Sequence, residues 1–265
     1  MNRSSTATPR NIADALRGER ERRPPADVSS ASGLRSILED GIYEILGGAR
    51  PISSLVIRAS SLRQMGTISD ISLAPLSRVR GILVNQVLRL LSIGAIVNDP
   101  FNDALRAWRL EVRQSDLLDF VDHLDADERA RLETDVTAHA VTLTRSLGSV
   151  RASWRPRSTV RASQYLGAGA VILRDVIDLM VGTTSSELAN VALFDLTTSP
   201  LGEGAERTMR YHALVQTLRT SVVPLRTTCF SSATGEMWSL DVDSETLVRS
   251  ANEVLAAIER LWREQ

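Results

Sequence analysis

The sequence predicts an α/β fold, a mixed central sheet flanked by helices, on three observations. Two apolar runs, AVILRDVIDLMV and LANVALFDL, are rich in Val, Ile, Leu and Phe and are split by a Gly-Thr-Thr-Ser-Ser cluster, so they read as adjacent strands. A second pair, PLRTTCF and MWSLDVD, is joined by a turn at Ala233 to Gly235 and reads as another hairpin. Between and around them, apolar residues recur at helical spacing in Ser77–Ser92, Glu203–Arg219 and Ser244–Trp262.

Taken in order, residues 1–30 are Arg-, Ser- and Pro-rich, include RGERERRPP and read as a flexible tail, with a short helix in NIADALRGERERR ended by Pro24 and Pro25. Residues 31–265 read as a single α/β domain, with 77–100 and 165–265 as its core and 101–150 as a helical insertion. From Ser32, the residues Leu34, Ile37, Leu38, Ile42 and Ile45 make one helical stripe, stopped at Gly47 and Gly48. SLVIRASSL after Pro51 reads as a short strand. The Ser77–Ser92 helix turns Val79, Ile82, Leu83, Val87, Leu88 and Leu91 inward and breaks at Gly94.

Phe101–Arg109 and Gln114–His123 read as short helices, and DADERARLETDVTAHAVTLTRSL as a long one capped by Asp125 or Asp127. The stretch GSVRASWRPRSTVRAS reads as a connection in which Arg151, Arg155, Arg157 and Arg161 surround Trp154. That pattern suits a nucleic-acid backbone with a stacked base, or a solvated segment anchored by its indole. The Glu203–Arg219 helix is expected to bury Met209, Ala213, Leu214 and Leu218 and to expose Arg207 and Arg210.

The net charge of −1 supplies no basic field that by itself announces nucleic acid, and all 31 basic residues are arginine. One cysteine, Cys229, excludes an internal disulfide and an iron–sulfur cluster built on this chain's own thiolates. No signal peptide and no apolar run of membrane length stand out, so the expectation is a cytoplasmic protein without a membrane partner.

Each strand of the first hairpin carries an acid, Asp178 in VIDLM and Asp195 in LFDLTT. A lone carboxylate is costly to bury, so such acids have a cation, a metal or hydrogen-bond donors beside them. Alternation puts Asp195 and Thr197 on one face, and Asp178 from the neighbouring strand can meet them in an oxygen-rich pocket suited to Mg²⁺ or Mn²⁺. The structural alternative is that each acid pairs with an arginine, such as Arg174, and does no chemistry.

With RGILVNQVLRLL, RDVIDLMVG, LFDLTTS and RTMRYHALVQTLR in this order, the chain resembles the RecB-type branch of the PD-(D/E)XK nuclease superfamily. The resemblance implies a restriction-endonuclease-like core and a protein that acts on DNA, either as a metal-dependent nuclease or as an impaired or inactive homologue that binds DNA or a partner. It places Asp178 and Asp195 at the two acid positions, as metal ligands for Mg²⁺ or Mn²⁺, and Tyr211 at the motif tyrosine. Asn85 stands where the family has histidine, with His139 on a later helix as the other candidate. Thr197 stands where it has lysine and Arg207 where it has glutamine.

Asp178, Asp195, Thr197 and Asn85 are thus the expected catalytic set, and Arg207, Arg210, Tyr211, Arg155 and Arg157 the expected nucleic-acid contacts. The partners implied are DNA and a protein such as a helicase or another DNA-processing subunit. A second reading takes TISDISLAPLSRVRGILVNQVLRLLSIGAIVND as a helix-turn-helix, with AWRLEV as the return strand of a wing, in a transcriptional regulator.

Overall fold

The hydrophobic runs within residues 171–197 fold as two antiparallel strands at the centre of a six-stranded sheet, and the helices described below pack on its faces. The computed structural model describes residues 11–17, 28–49, 51–63, 74–112, 115–182 and 191–264. Its elements run α1 (Ile12–Arg17), α2 (Val28–Leu46), β1 (Leu55–Arg58), α3 (Ala59–Arg63), α4 (Pro75–Ser92), α5 (Pro100–Glu111), α6 (Asp116–Asp122) and α7 (Ala126–Leu147). They continue with β2 (Arg157–Leu166), β3 (Val171–Val181), β4 (Ala192–Thr197), α8 (Glu203–Thr220), β5 (Arg226–Ser231), β6 (Met237–Asp241) and α9 (Ser244–Arg263). The TTSSE connection and the TISDISL segment fall outside the described residues.

Sheet order is β1-β3-β4-β5-β6, with β2 paired to β3 off that path. β2 runs antiparallel along nearly the whole of β3, from Arg157 opposite Met180 to Leu166 opposite Val171. A strand has two edges, so β1 and β4 must share the other one. β1 pairs parallel with Val171 to Arg174, and β4 antiparallel from Leu179 to Val181. Residues 175–178 are left between them without a ladder partner on that edge, and this notch is the architectural centre of the molecule.

Two helical layers close the faces. On one, α4, α5, α6 and α7 pack Val84, Val87, Phe101, Trp108 and Val136 against Leu179, Phe194 and Leu196. On the other, α2, α8 and α9 pack Leu38, Ile42, Leu214, Val254 and Ile258 against Ile57, Val171 and Leu173. Local chemistry fixes the helix starts. Asp99, Asp125 and Asp243 cap α5, α7 and α9 by accepting from Asn102 N, Glu128 N and Thr246 N, and Pro75 and Pro100 open α4 and α5. The helices α5, α6 and α7 form one wall of the main core.

The structure corrects four expectations. Part of the expected flexible tail is α1, whose Ile12, Ala15 and Leu16 are fully buried; Ile12 and Leu16 join the core with α7, β4 and β5. The arginine-rich connection runs into the ten-residue strand β2, because Ala162 and Leu166 turn inward while Arg161, Ser163 and Tyr165 stay outside. AWRLEV falls at the end of helix α5, with Ala104, Leu105 and Trp108 buried at helical spacing, so it is not the return strand of a wing.

The fourth correction concerns Arg210, which is 4 % exposed rather than on the surface. Its guanidinium reaches Glu206 at 2.5 Å and Glu253 at 2.6 and 3.2 Å, tying α8 to α9. Removing Glu253 takes two charge-assisted hydrogen bonds from a buried guanidinium and leaves it only the half-exposed Glu206. Glu253→Ala is therefore expected to destabilise the fold by about 2 kcal/mol in urea unfolding, and Arg210→Met with Glu253→Leu to recover most of it. A Glu253→Ala variant as stable as the parent would show that the pair contributes nothing.

Candidate functional site

The two motif acids converge where the notch opens. In a regular strand Asp175 and Asp178, three residues apart, face opposite sides. Here Asp175 is bonded to His212 of α8, and Asp178 also lies within the electrostatic reach of His212 and of Asp195. Alternation therefore slips by one within 175–178, and Ile177 and Met180 accordingly enter one apolar cluster. The slip lies beside a break in β2, whose ladder skips Thr159, a residue with left-handed φ of 53°, and Asp178. One residue is skipped on each strand, so the register is kept on both sides and the ladder is interrupted at the point where Asp178 turns.

α8 delivers three more groups. Tyr211 is fully buried and its hydroxyl lies 2.8 Å from the Ile57 carbonyl and 2.9 Å from that of Arg174, sealing the point where β1 leaves β3. His212, also buried, directs Nδ1 at both Asp175 oxygens, 2.8 and 2.9 Å away. Its Nε2 faces Asp195 Oδ1 at 3.6 Å, too far for a hydrogen bond, and is otherwise without a partner among the described residues.

Asp195 is surrounded on its other sides. Arg63 Nη2 stands 3.4 Å from its Oδ2, and the Cys229 thiol from β5 donates to the same oxygen at 3.6 Å. Arg63 is held in turn by Thr208, whose Oγ1 accepts from its Nε at 3.4 Å. Gly204 permits this approach, since a Cβ there would stand 2.8 Å from the Arg63 carbonyl oxygen. Asp178 Oδ2 accepts the Leu196 backbone N–H at 2.7 Å. Both acids keep a view of solvent, Asp178 as a partly buried residue and Asp195 with 12 % of its side chain exposed.

The charges follow from this geometry. Burial and then the neighbouring Asp195 charge push Asp178 well above an ordinary carboxyl. Burial pushes Asp195 up too, but His212, Arg63 and the Cys229 thiol outweigh it and hold Asp195 below the usual range. Burial disfavours the His212 cation, yet Asp175 and Asp195 together raise it well above an ordinary histidine. The pocket thus favours a proton on Asp178, the ionised form of Asp195 and the cation of His212. Burial and the Asp195 charge also push the Cys229 thiol up, so it is no nucleophile.

The other expected residues lie elsewhere. Thr197 closes β4, its hydroxyl accepting from Ser199 N and its carbonyl from Ser232. Asn85 rides on α4, which packs against Phe194 and Leu196, the face of β4 opposite Asp195, so it stands across the sheet from the acids. His139 is on α7 in the same layer. Arg155 and Arg157 are exposed at the start of β2, Arg157 donating to the Gly182 carbonyl at 2.8 Å. Arg207 is partly buried, whereas Arg210 and Tyr211 are internal and cannot touch a nucleic acid, a correction set by their partners in α9, β1 and β3.

Sequence reading missed Asp175, His212, Arg63 and Cys229. A signal existed for His212, the residue after the motif tyrosine, on the helix already placed beside the acids. Among the described residues no group of three or more His, Cys, Asp or Glu is arranged to hold a metal ion, and no helix is long and apolar enough to cross a membrane.

No family model matches the chain, and no curated protein matches it. A solved structure, the crystal structure of SSO0001, aligns with 83 % of this chain and 84 % of its own, at 9 % identity and a TM-score of 0.31, a likeness too remote to carry an argument.

The shifted groups set the pH response. Asp178 and His212 bind their protons more tightly when folded. Their contributions to stability are complete below 3.8 and 6.5, the ordinary values, and are lost as pH rises through the raised ones. Asp195 acts oppositely and loses its contribution as pH falls below 3.8. Thermal melting followed by circular dichroism is expected to decline on the alkaline side. Asp178→Asn should flatten that limb; an unchanged slope would remove Asp178 as its source.

Proposed function

We propose that this chain is a nucleic-acid-acting protein resembling the RecB-type PD-(D/E)XK nucleases, with a weak divalent-cation site at Asp178 and Asp195 and strongly reduced hydrolytic power. The observation that supports the reading is the pair of acids on adjacent antiparallel strands, brought to one solvent-reachable point at the notch.

The donor set suits Mg²⁺ or Mn²⁺, which take one or two protein carboxylates and fill the rest of their shell with water and substrate phosphate oxygens. When bound, such an ion lowers the pKa of water and steadies the charge on a phosphate. The protein's part is to hold the acids. β3 and β4 fix their backbones, Leu196 N–H orients Asp178, and Arg63 and His212 keep Asp195 ionised.

The same surroundings argue for weak metal binding and slow chemistry. Asp178 holds a proton more tightly than an ordinary carboxyl, so a cation must compete with it, and Asp195 is already compensated by His212 and Arg63. No lysine exists to shuttle a proton at the Thr197 position, and the arginines cannot do so because they stay protonated. His212 cannot act as a base while its cation is held between two acids.

Melting with and without Mn²⁺, on the parent and on Asp178→Asn with Asp195→Asn, tests the site. A rise in Tm with Mn²⁺ that the double variant lacks is expected, by linkage of binding to stability. Incubation with single- and double-stranded DNA and Mn²⁺ should show slow cleavage or none, and any cleavage should vanish in the double variant. Identical Mn²⁺ responses in the two proteins would sink the proposal.

A further inference from the structure

The sheet has a second surface, distinct from the acid pocket. At the end where β1, β3 and β2 lie side by side, one face is left open: Arg58, Arg174, Val176, Arg161, Ser163 and Tyr165 are all exposed, Tyr165 at 62 % and Val176 at 48 %. Ladder register puts them on common rungs. Arg58 pairs with Arg174, Arg174 with Ser163, and Val176 with Arg161, while Tyr165 follows two residues after Ser163 on the same face of β2.

The charge on this face is one-sided. None of these positions holds a carboxylate, because Asp175, the residue between Arg174 and Val176, turns inward to His212. Arg58 and Arg174 are direct cross-strand neighbours, roughly 5 Å apart, and like charges so placed destabilise a sheet. Some arginines of this chain do find carboxylates, as Arg210 finds Glu253 and Arg226 finds Asp241. Among the described residues no ion pair reaches the guanidinium of Arg58, Arg161 or Arg174. An anionic ligand seated on this open face would relieve the repulsion.

We propose that this open face of β1, β3 and β2 is a binding platform for single-stranded DNA, with Arg58, Arg174 and Arg161 on phosphates and Tyr165 stacking a base. Arginine forks fit phosphate oxygens in pairs, and an exposed phenol ring offers a π-face to any base. A single strand fits better than a duplex. Duplex bases are already stacked on one another, and this shallow sheet presents no helix or ribbon to enter a groove. The platform needs no metal and is independent of the acid pocket.

Fluorescence anisotropy with the full chain and a labelled single-stranded oligonucleotide in EDTA tests it. Chelation keeps the reading separate from the Mn²⁺-dependent melting shift, so either can fail alone. Binding is expected to weaken linearly with log salt. Arg58→Gln with Arg174→Gln should lower affinity at least tenfold and reduce the magnitude of the slope by roughly 1.4, two phosphates' worth for a single strand. Tyr165→Ala should lower affinity about tenfold. All these side chains are exposed, and melting curves matching the parent verify that the variants fold. Absence of binding at low salt, an undiminished double variant, a duplex bound as tightly as the single strand, or equal competition by polyglutamate would each overturn the platform.

Discussion

Three aspartates crowd the centre of this sheet, and the fold tolerates them because an imidazolium is buried among them. His212 binds Asp175 through Nδ1 and faces Asp195 with Nε2. Without that cation, Asp175 would be a charge inside the protein with 4 % of its surface in water, a situation that proteins otherwise relieve by protonation or pairing. α8 is committed by this bond. The Tyr211 hydroxyl on Ile57 and Arg174 and the Arg210 fork on Glu253 come from the two residues just before it, so one helical turn joins β1, β3, β4 and α9.

The notch follows from the sharing of one strand edge. β1 stops pairing at Arg174 and β4 begins at Leu179, so the intervening backbone is freed from ladder geometry and can carry the slip that turns Asp178 toward Asp195. A regular strand would have sent Asp175 and Asp178 to opposite faces and split the cluster. Irregular backbone thus stands where chemically reactive groups gather, as at many functional sites. The compensation comes from the protein itself: the buried His212 and the half-exposed Arg63 do part of what a bound ion does elsewhere.

Much of this was legible in the sequence. Apolar runs and turn residues located β3, β4, β5 and β6, and 3.6-residue spacing located α2, α4, α7, α8 and α9, because those signals are local. The acid pair was also readable, since an aspartate inside a run such as LFDL has few structural uses. What the sequence concealed was partnership at long range. Asp175 sits one residue after an exposed arginine and looks like the solvated half of a surface pair, while its histidine lies 37 positions away. β2 was hidden because its outward residues are arginines and serines, which mimic a linker when the inward Ala162 and Leu166 are few. Arg210 seemed exposed because charge alone predicts exposure, and only α9 supplies the carboxylate that lets it be buried.

The five residues Arg174 to Asp178 condense the argument. Read with a period of two, Arg174 and Val176 go to the open face and Asp175 to the helix-covered one, so a single strand gives the sheet a basic side and an acidic side. Slipping the register of β3 by one residue would bury Arg174 against Leu214 and Val254 and turn Asp175 toward Arg58, exchanging the two surfaces. Such a slip is opposed by the apolar residues Leu173 and Leu179 on either side, each fully buried against a different helical layer. The hydrophobic core that fixes the strand's register therefore also decides which face carries the arginines and which the aspartates, and the separation of charge across this sheet is a consequence of packing.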